Sequence, residues 1–481
     1  MTAPNLLALL EEQARHDLKR LNYPASNWMP AAGYKEGRPL LDALIVGAGM
    51  CGQTAAFALL REGVRNLRVI DRNGIGDEGP WSSFARMPTL RSPKHLTGPD
   101  LGVASLTFRA WYEAQHGEES WEQLYKIGTL DWRDYLLWVR RIANIPVENG
   151  IVLTALEPAG ANLKATLHSA QGEETLHARK VILALGRDGS GAARLPHFAN
   201  FDPASAHARS RVFHSMDAID FSALAGKRVA VLGAGSSAFD NAGTALEAGA
   251  AVVTMFARRS HLPQINKSKW AAFPGFQNGY AALDDQTRWN FFTYIMDEQV
   301  PPPHESVLRC DRFAGFSICF AEPWSDLAAH AGGVTVTTPK GRHEFDAVIF
   351  GTGFDVDLME RDELKAFRAA TLTWRDRVGA ATAATNEEAA RFPFLGDAFQ
   401  LLERAPGTAP SLANLHIFNW GATMSHGQLA GDIPGLTIGV NRLAQGIVRD
   451  LFAAERAYFL SRLHAHAEYE LKPTRYFVPP V

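Results

Sequence analysis

The chain has 481 residues, 46% of them apolar and 21% charged, with a formal net charge of −3 and a pI near 6.6. This is the make-up of a globular protein too long for one small domain, and it carries no basic footprint for nucleic acid. The three cysteines, Cys51, Cys310 and Cys319, give no disulfide framework and no Cys-rich zinc site, and no run of about 18 apolar residues predicts a membrane span.

Leu6, Leu7, Leu10, Leu18 and Leu21 predict an amphipathic helix over 6–21, expected to dock on the body or on a partner subunit of a homodimer. Met1–Leu10 lacks a basic start and Glu11-Glu12 interrupt the apolar run, so no signal peptide is expected and the cytoplasm is the expected location. An apolar strand, Ala43–Val46, then leads into Gly47-Ala48-Gly49-Met50-Cys51-Gly52 and a helix from Gln53. The next strand, Leu67–Asp71, ends on an acid 24 positions after Gly47, followed by Arg72. A carboxylate there accepts hydrogen bonds from ribose hydroxyls and repels a 2′-phosphate. The polar loop over 74–100 contains Trp81 and the donor-rich run Thr89–Gly98, with Arg91 and Lys94. Helices are expected over 111–116 and 131–143, the latter placing Trp132, Tyr135 and Trp138 in the core. Strands are expected over 151–170 and 175–185, and a linker over 187–224 holds His214.

A second fingerprint follows. The strand Val229–Leu232 leads into Gly233-Ala234-Gly235-Ser236-Ser237-Ala238 and a helix from Phe239. Counting 24 from Gly233 reaches Ala257, with Arg258 and Arg259 next. Where the first copy has a carboxylate, this one has two guanidiniums, whose planar forks suit a 2′-phosphate; a solvated arginine pair is the other reading. The loop Gln264–Trp270 contains Asn266 and Lys267. Ala347–Phe350 predicts a buried strand ending in the turn Gly351-Thr352-Gly353. Phe418–Gly427 is Gly-punctuated and carries Asn419, Ser425 and His426, which suits a pocket wall. Asp432-Ile433-Pro434 opens a helix over 435–452 whose N-terminus can face negative charge.

In each fingerprint the first glycine permits the tight turn, the second lets backbone N–H groups approach a pyrophosphate, and the third position lets helix and strand pack closely. One such motif is weak; two in strand–turn–helix context predict two dinucleotides on one chain. The fold class expected is α/β, with two Rossmann-like domains and the NAD(P)H domain inserted into the FAD domain. The divisions are an extension over 1–38, FAD domain over 39–215, NADPH domain over 216–338, and a return to the FAD domain over 339–481. No close pair of cysteines exists for dithiol chemistry, and the histidines lack metal-site spacing, so no metal is expected.

With Ala184-Leu185-Gly186 and Gly351-Thr352-Gly353 as its domain-crossing strands, the chain resembles the class B flavoprotein monooxygenases over roughly residues 40–445. That group holds the flavin-containing, Baeyer–Villiger and N-hydroxylating enzymes. The resemblance implies FAD, NADPH (NADH being the alternative) and O2, with oxygen transfer from a C4a-(hydro)peroxyflavin to a small-molecule substrate. It implies catalytic roles for Asn266, beside nicotinamide and substrate, and for Arg91 at the flavin; the composition of 418–427 makes His426 a candidate acid or base, a hydrogen-bonded structural histidine being the other reading. Of the Baeyer–Villiger linker signature only His214 survives, so ketone oxygenation loses support. A polar, urate-like heterocycle is the substrate implied. The alternative is an NAD(P)H-dependent flavin reductase serving a protein or quinone acceptor.

Overall fold

In the computed structural model, residues 5–31, 33–35, 37–95 and 98–476 are described. Helix α1 (Leu6–Arg20) is capped by the Asn5 side chain and buries Ala14 and Leu18. It docks on the body: Ser105 Oγ donates to Asp17 at 2.8 Å, and Glu11 takes both terminal nitrogens of Arg141.

The first sheet is built on β1 (Arg38–Val46), α2 (Met50–Arg61), β2 (Leu67–Asp71), α3 (Thr129–Ile142) and β3 (Val147–Asn149). It continues as β4 (Val152–Ala159), β5 (Asn162–Ser169) and β6 (Gly172–Leu183). The strand order is β3-β2-β1-β6-β5-β4. Strands β3, β2, β1 and β6 run parallel, and β4, β5 and β6 form an antiparallel meander. β1 reads as a near-continuous apolar run at its C-terminal end because both of its faces are covered there. α3 buries Trp132, Tyr135 and Trp138, as its aromatic stripe predicts.

The second sheet has β7 (Val212–His214), β8 (Arg228–Leu232), α4 (Ser236–Glu247) and β9 (Val252–Phe256). Then come α5 (Asp285–Glu298), α6 (His304–Asp311) and β10 (Phe316–Cys319). A separate antiparallel sheet of β11 (Asp326–His330), β12 (Gly333–Thr338) and β13 (Gly341–Phe345) precedes β14 (Ala347–Phe350). The order β10-β9-β8-β14-β7 is parallel throughout. The chain then returns: β15 (Leu415–Ile417) pairs with the C-terminal end of β6, and α7 (Leu436–Ala454) packs on α2. Helix α8 (Arg456–Ala465) ends the regular structure.

Sheet membership moves the divisions read from the sequence. β7 precedes residue 216 and β14 follows residue 339, yet both pair within the second sheet. β14 lies between β8 and β7, and β7 is the edge strand that pairs with β14 alone, so the second sheet takes in chain from both sides of the expected division. The chain crosses between the units at Gly191–Ala193 and Phe354–Val356, which pair with each other as an antiparallel ribbon. Both fingerprint helices also begin three residues earlier than read, at Met50 and Ser236, because each motif's second glycine is itself the N-cap.

Candidate functional site

The two fingerprints fold into the same turn. Gly47 N–H donates to Ile70 O at 2.8 Å and Gly233 N–H to Phe256 O at 2.9 Å. Behind each turn passes one residue from a neighbouring strand: Ala184 N–H donates to Val46 O at 2.9 Å, and Gly351 N–H to Leu232 O at 2.8 Å. Gly47 and Gly233 have φ of +95° and +117°, and a Cβ on them would stand 2.6 and 2.5 Å from the carbonyl oxygens of Ala184 and Gly351. Only glycine satisfies both constraints.

Helices α2 and α4 start at Gly49 and Gly235 with no side-chain cap, so their first-turn N–H groups have no acceptor among the described residues. A Cβ at Gly235 would meet nothing within 4 Å, and one at Gly49 only Gly79, at 3.5 Å. Uncapped helix N-termini with open space in front fit the pyrophosphates of two dinucleotides. Met50, Cys51, Gly52, Ser236, Ser237 and Ala238 form the first helical turns of the two cradles.

Asp71 ends β2 beside the first cradle. Its buried carboxylate accepts from Ala48 N–H at 2.7 Å and Asn73 N–H at 2.8 Å, and burial raises its pKa. Arg72 is exposed and pairs with Asp188 at 2.8 Å. The loop after it is braced by a residue with no local sequence signal, the buried Glu78, which accepts from Gly76 N–H (2.7 Å), Arg140 (2.6 Å) and Asn149 (2.7 Å). Beside it, the Trp81 indole N–H and the Gln53 side-chain oxygen are buried without a partner among the described residues. Such orphaned groups at a cradle are free to meet a bound molecule or a water.

Beside the second cradle, Arg258 is exposed just past β9 and has no hydrogen-bond or ionic partner among the described residues. Arg259 differs: its Nη2 donates to Asp297 O at 2.9 Å. The sequence treats the pair alike; the structure leaves one guanidinium open and engages the other. Asn266 caps the turn Lys267–Trp270, its Oδ1 accepting from Lys269 N–H at 2.9 Å, so its oxygen already serves the backbone.

Asp432 precedes the turn Ile433–Gly435 and α7. Its neighbour Gly431 donates N–H to Cys51 Sγ at 3.3 Å, tying this segment to the first cradle, and Ile433 is buried. Burial pushes the Cys51 thiol up to about 12. Cys310 donates to Phe239 O at 3.4 Å, and burial pushes its thiol up to about 12 as well. Arg187, which the sequence reading missed, lies with its guanidinium 3.7 Å from the Trp420 ring centroid and 4.0 Å from Asp432 Oδ1. Arg91 ends 3.1 Å from Asp240 of α4. Lys94 instead turns to the Trp121 carbonyl and ring.

Three sequence expectations are corrected. His426 is no free acid or base: it is 2% exposed and stacked on Phe399 at 4.0 Å. Its Nε2–H donates to Gly396 O at 3.0 Å, and Nδ1 accepts from Arg442 at 3.2 Å, which fixes one neutral tautomer. Burial pushes its pKa down to about 3. Asn419 accepts from Ser190 and Gly421 N–H, and Ser425 accepts from Trp374 and Leu395 N–H, so both brace the chain rather than line an open wall. Gly351 lies behind the second cradle, while Thr352 and Gly353 lead into the crossing ribbon, Thr352 Oγ donating to Arg194 O and Gly353 O accepting from Arg194 N–H at 3.0 Å and from His214 Nε2–H at 3.0 Å. Among the described residues, no group of three or more His, Cys, Asp or Glu side chains is placed to hold a metal ion, and no helix is long and apolar enough to cross a membrane.

Residues 44–276 match the family described as pyridine nucleotide-disulphide oxidoreductase. The chain is 40% identical over 450 residues to the FAD-dependent urate hydroxylase of Xanthomonas campestris pv. campestris, covering 94% of each chain. Among solved structures it resembles the ornithine N-hydroxylase of Kutzneria sp. 744, with TM-score 0.67 and 15% identity over 86% of this chain and 100% of that one. The L-lysine 6-monooxygenase of Pseudomonas syringae gives TM-score 0.64 and 17% identity over 85% of this chain and 99% of that one. At such identities the solved structures show the fold.

Proposed function

The chain belongs to the flavoprotein monooxygenase family of that Xanthomonas hydroxylase, and from this membership we propose that it hydroxylates a planar, polar heterocycle of the urate type. It is an FAD-dependent monooxygenase drawing electrons from NAD(P)H. The observation that carries the substrate reading is the 40% identity over 94% of the chain.

The N–H groups that open α2 would hold the FAD pyrophosphate, with Asp71 at its ribose and Asp432 beside the same cradle. Bound there, FAD supplies the two-electron carrier and the activation of O2. The N–H groups that open α4 would hold the nicotinamide dinucleotide, and the unpartnered Arg258 gives the 2′-phosphate of NADPH a planar fork of donors. Arg187, stacked on Trp420 and 4.0 Å from Asp432, would offer a further cation near the first cradle. His426 does not carry the proton: it is neutral, with both ring nitrogens engaged. The reading takes the enzyme to work in the cytoplasm and as a homodimer, the exposed Tyr458, Leu460 and Leu463 of α8 offering apolar surface for a second copy.

The test is oxygen uptake by the FAD-loaded protein with NADPH and urate. Uptake that matches urate loss, with little H2O2, is expected. Stoichiometric H2O2 with urate and every related purine, and no substrate loss, would return the protein to the reductase reading.

A further inference from the structure

Asp240 is out of place on its helix. α4 buries Phe239, Ala242, Ala245 and Leu246, and among them it carries a carboxylate 4% exposed. A buried carboxylate is costly unless paired and hydrogen-bonded. Asp240 has both: Oδ1 accepts from Ser306 Oγ of α6 at 2.7 Å, and Oδ2 from Arg91 Nη2 at 3.1 Å. Arg91 comes from the other unit, 149 positions away. Its loop is itself fixed to the FAD-side body, since Leu90 is buried and its N–H donates to Ile127 O at 2.8 Å.

The same seam has further links. Arg309 of α6 donates to Arg86 O at 2.9 Å, Lys126 pairs with Glu305 of α6 at 3.0 Å, and Arg86 donates to the carbonyls of Ser215 and Asp217. These rest on carbonyl acceptors or a partly exposed glutamate. Arg91–Asp240 alone in this set engages a buried carboxylate, which cannot release its partner cheaply.

We infer that Asp240 is a positioning residue: through Arg91 it locks the helix of the second cradle to the FAD-side loop and so sets how the nicotinamide dinucleotide meets the flavin. The inference rests on the reading that NAD(P)H reduces bound FAD in this protein. Asp240 lies one turn beyond Ser236, where α4 opens toward the cradle, so a shift at Asp240 reaches the cradle through one rigid helical turn. Hydride transfer needs reacting atoms in near-attack geometry, and a displacement of about 1 Å costs up to about a hundredfold in rate. Arg91 then acts by holding the seam, not by touching the reacting atoms.

The experiment is anaerobic stopped-flow reduction of the FAD-loaded enzyme across a range of NADPH concentrations. Asp240→Asn keeps the size and the Ser306 contact and removes the charge; Arg91→Gln removes the other partner. The limiting reduction rate is expected to fall about tenfold or more in each, with the apparent Kd for NADPH changed less than about twofold. Reduction by dithionite, which needs no docking, stays as in the wild type. The double variant leaves no buried charge unpaired and is expected to be as slow as either single variant, so it answers the question if a single variant fails to fold. A wild-type rate in the single variants overturns the inference. So does a double variant restored to the wild-type rate, which assigns the defect to a stranded charge, and so does a raised Kd at an unchanged rate. A wild-type holoenzyme that NADPH fails to reduce removes the underlying reading instead.

Discussion

In the first cradle the residue crossing behind the turn is Ala184 and the third motif position is Gly52; in the second the crossing residue is Gly351 and the third position is Ala238. One methyl has moved from the crossing strand to the helix. A Cβ at Gly52 would stand 1.7 Å from Gly47 O, a backbone atom that cannot yield, so α2 closes directly onto its turn. A Cβ at Gly351 would stand 2.5 Å from Ala238 Cβ, so the second unit admits its methyl on the helix because the strand lacks one. The first cradle is closed by backbone and the second by a side chain. The tighter construction suits a group kept through many turnovers, and the looser one a dinucleotide that comes and goes.

Substitutions at the third position test that contrast most severely. Gly52→Ala should abolish FAD loading and most soluble protein, read by flavin absorbance per chain, and Ala184→Gly should not rescue it because the clash is with backbone. Ala238→Gly should leave FAD loading intact and cost about 1 kcal/mol, the helix penalty of glycine. FAD loading retained in Gly52→Ala would show that the first turn can open and would end the distinction.

Next in size is Gly351→Ala, which should weaken NADPH binding without FAD loss and be partly relieved by adding Ala238→Gly. The pair then reproduces the first cradle's arrangement. Relief is partial because a Cβ at Gly351 would also stand 2.7 Å from Ala238 Cα. Titration of flavin reduction against NADPH gives both numbers. No relief at all would mean that the methyl exchange is incidental.

The residues after the second strands sharpen the contrast by ligand. Arg258→Ala should raise the KM for NADPH about tenfold and leave that for NADH nearly unchanged, the worth of one charge-assisted contact. Arg259→Ala should do less, because Arg259 is engaged by Asp297 O. Equal effects on the two coenzymes would show that Arg258 does not read the 2′-phosphate. Asp71→Ala should instead lower FAD retention and leave the NADPH:NADH ratio alone.

What was readable from sequence follows the same divide between local and distant demands. The fingerprint turns and the helices they open are legible because a turn and its helix impose glycine within one short unit. The aromatic stripe of α3 is legible because its period is that of a helix. The division between units is not: β7 and β14 pair with each other, though over a hundred positions separate them, and nothing in either short run says which sheet it joins. Asn419, Ser425 and His426 have the composition of a pocket, but their partners, Ser190, Trp374 and Gly396, lie far off in sequence. Arg187 meets Trp420 and Asp432 only because the chain returns to it, and Arg91 finds Asp240 only across the seam.

The smallest effect concerns the side of the molecule that holds the first cradle. His416 and His426 both lie in the segment that returns to it, and burial holds each down to about 3. An unfolded chain titrates its histidines near 6.5. As pH falls through about 6.5 the unfolded state therefore binds protons that the folded state refuses, and stability is lost steadily until about pH 3. The loss is about 1 kcal/mol per histidine between pH 6.5 and 5.5. His426→Gln lowers stability at neutral pH by disturbing the contacts to Gly396 and Arg442, but it removes this titration. Its Tm should therefore fall less between pH 7.5 and 5.5 than that of the wild type, and FAD release on acidification should shift with it. Equal pH slopes in the two proteins would show that His426 takes up its proton in the folded state, and would reopen it as an acid.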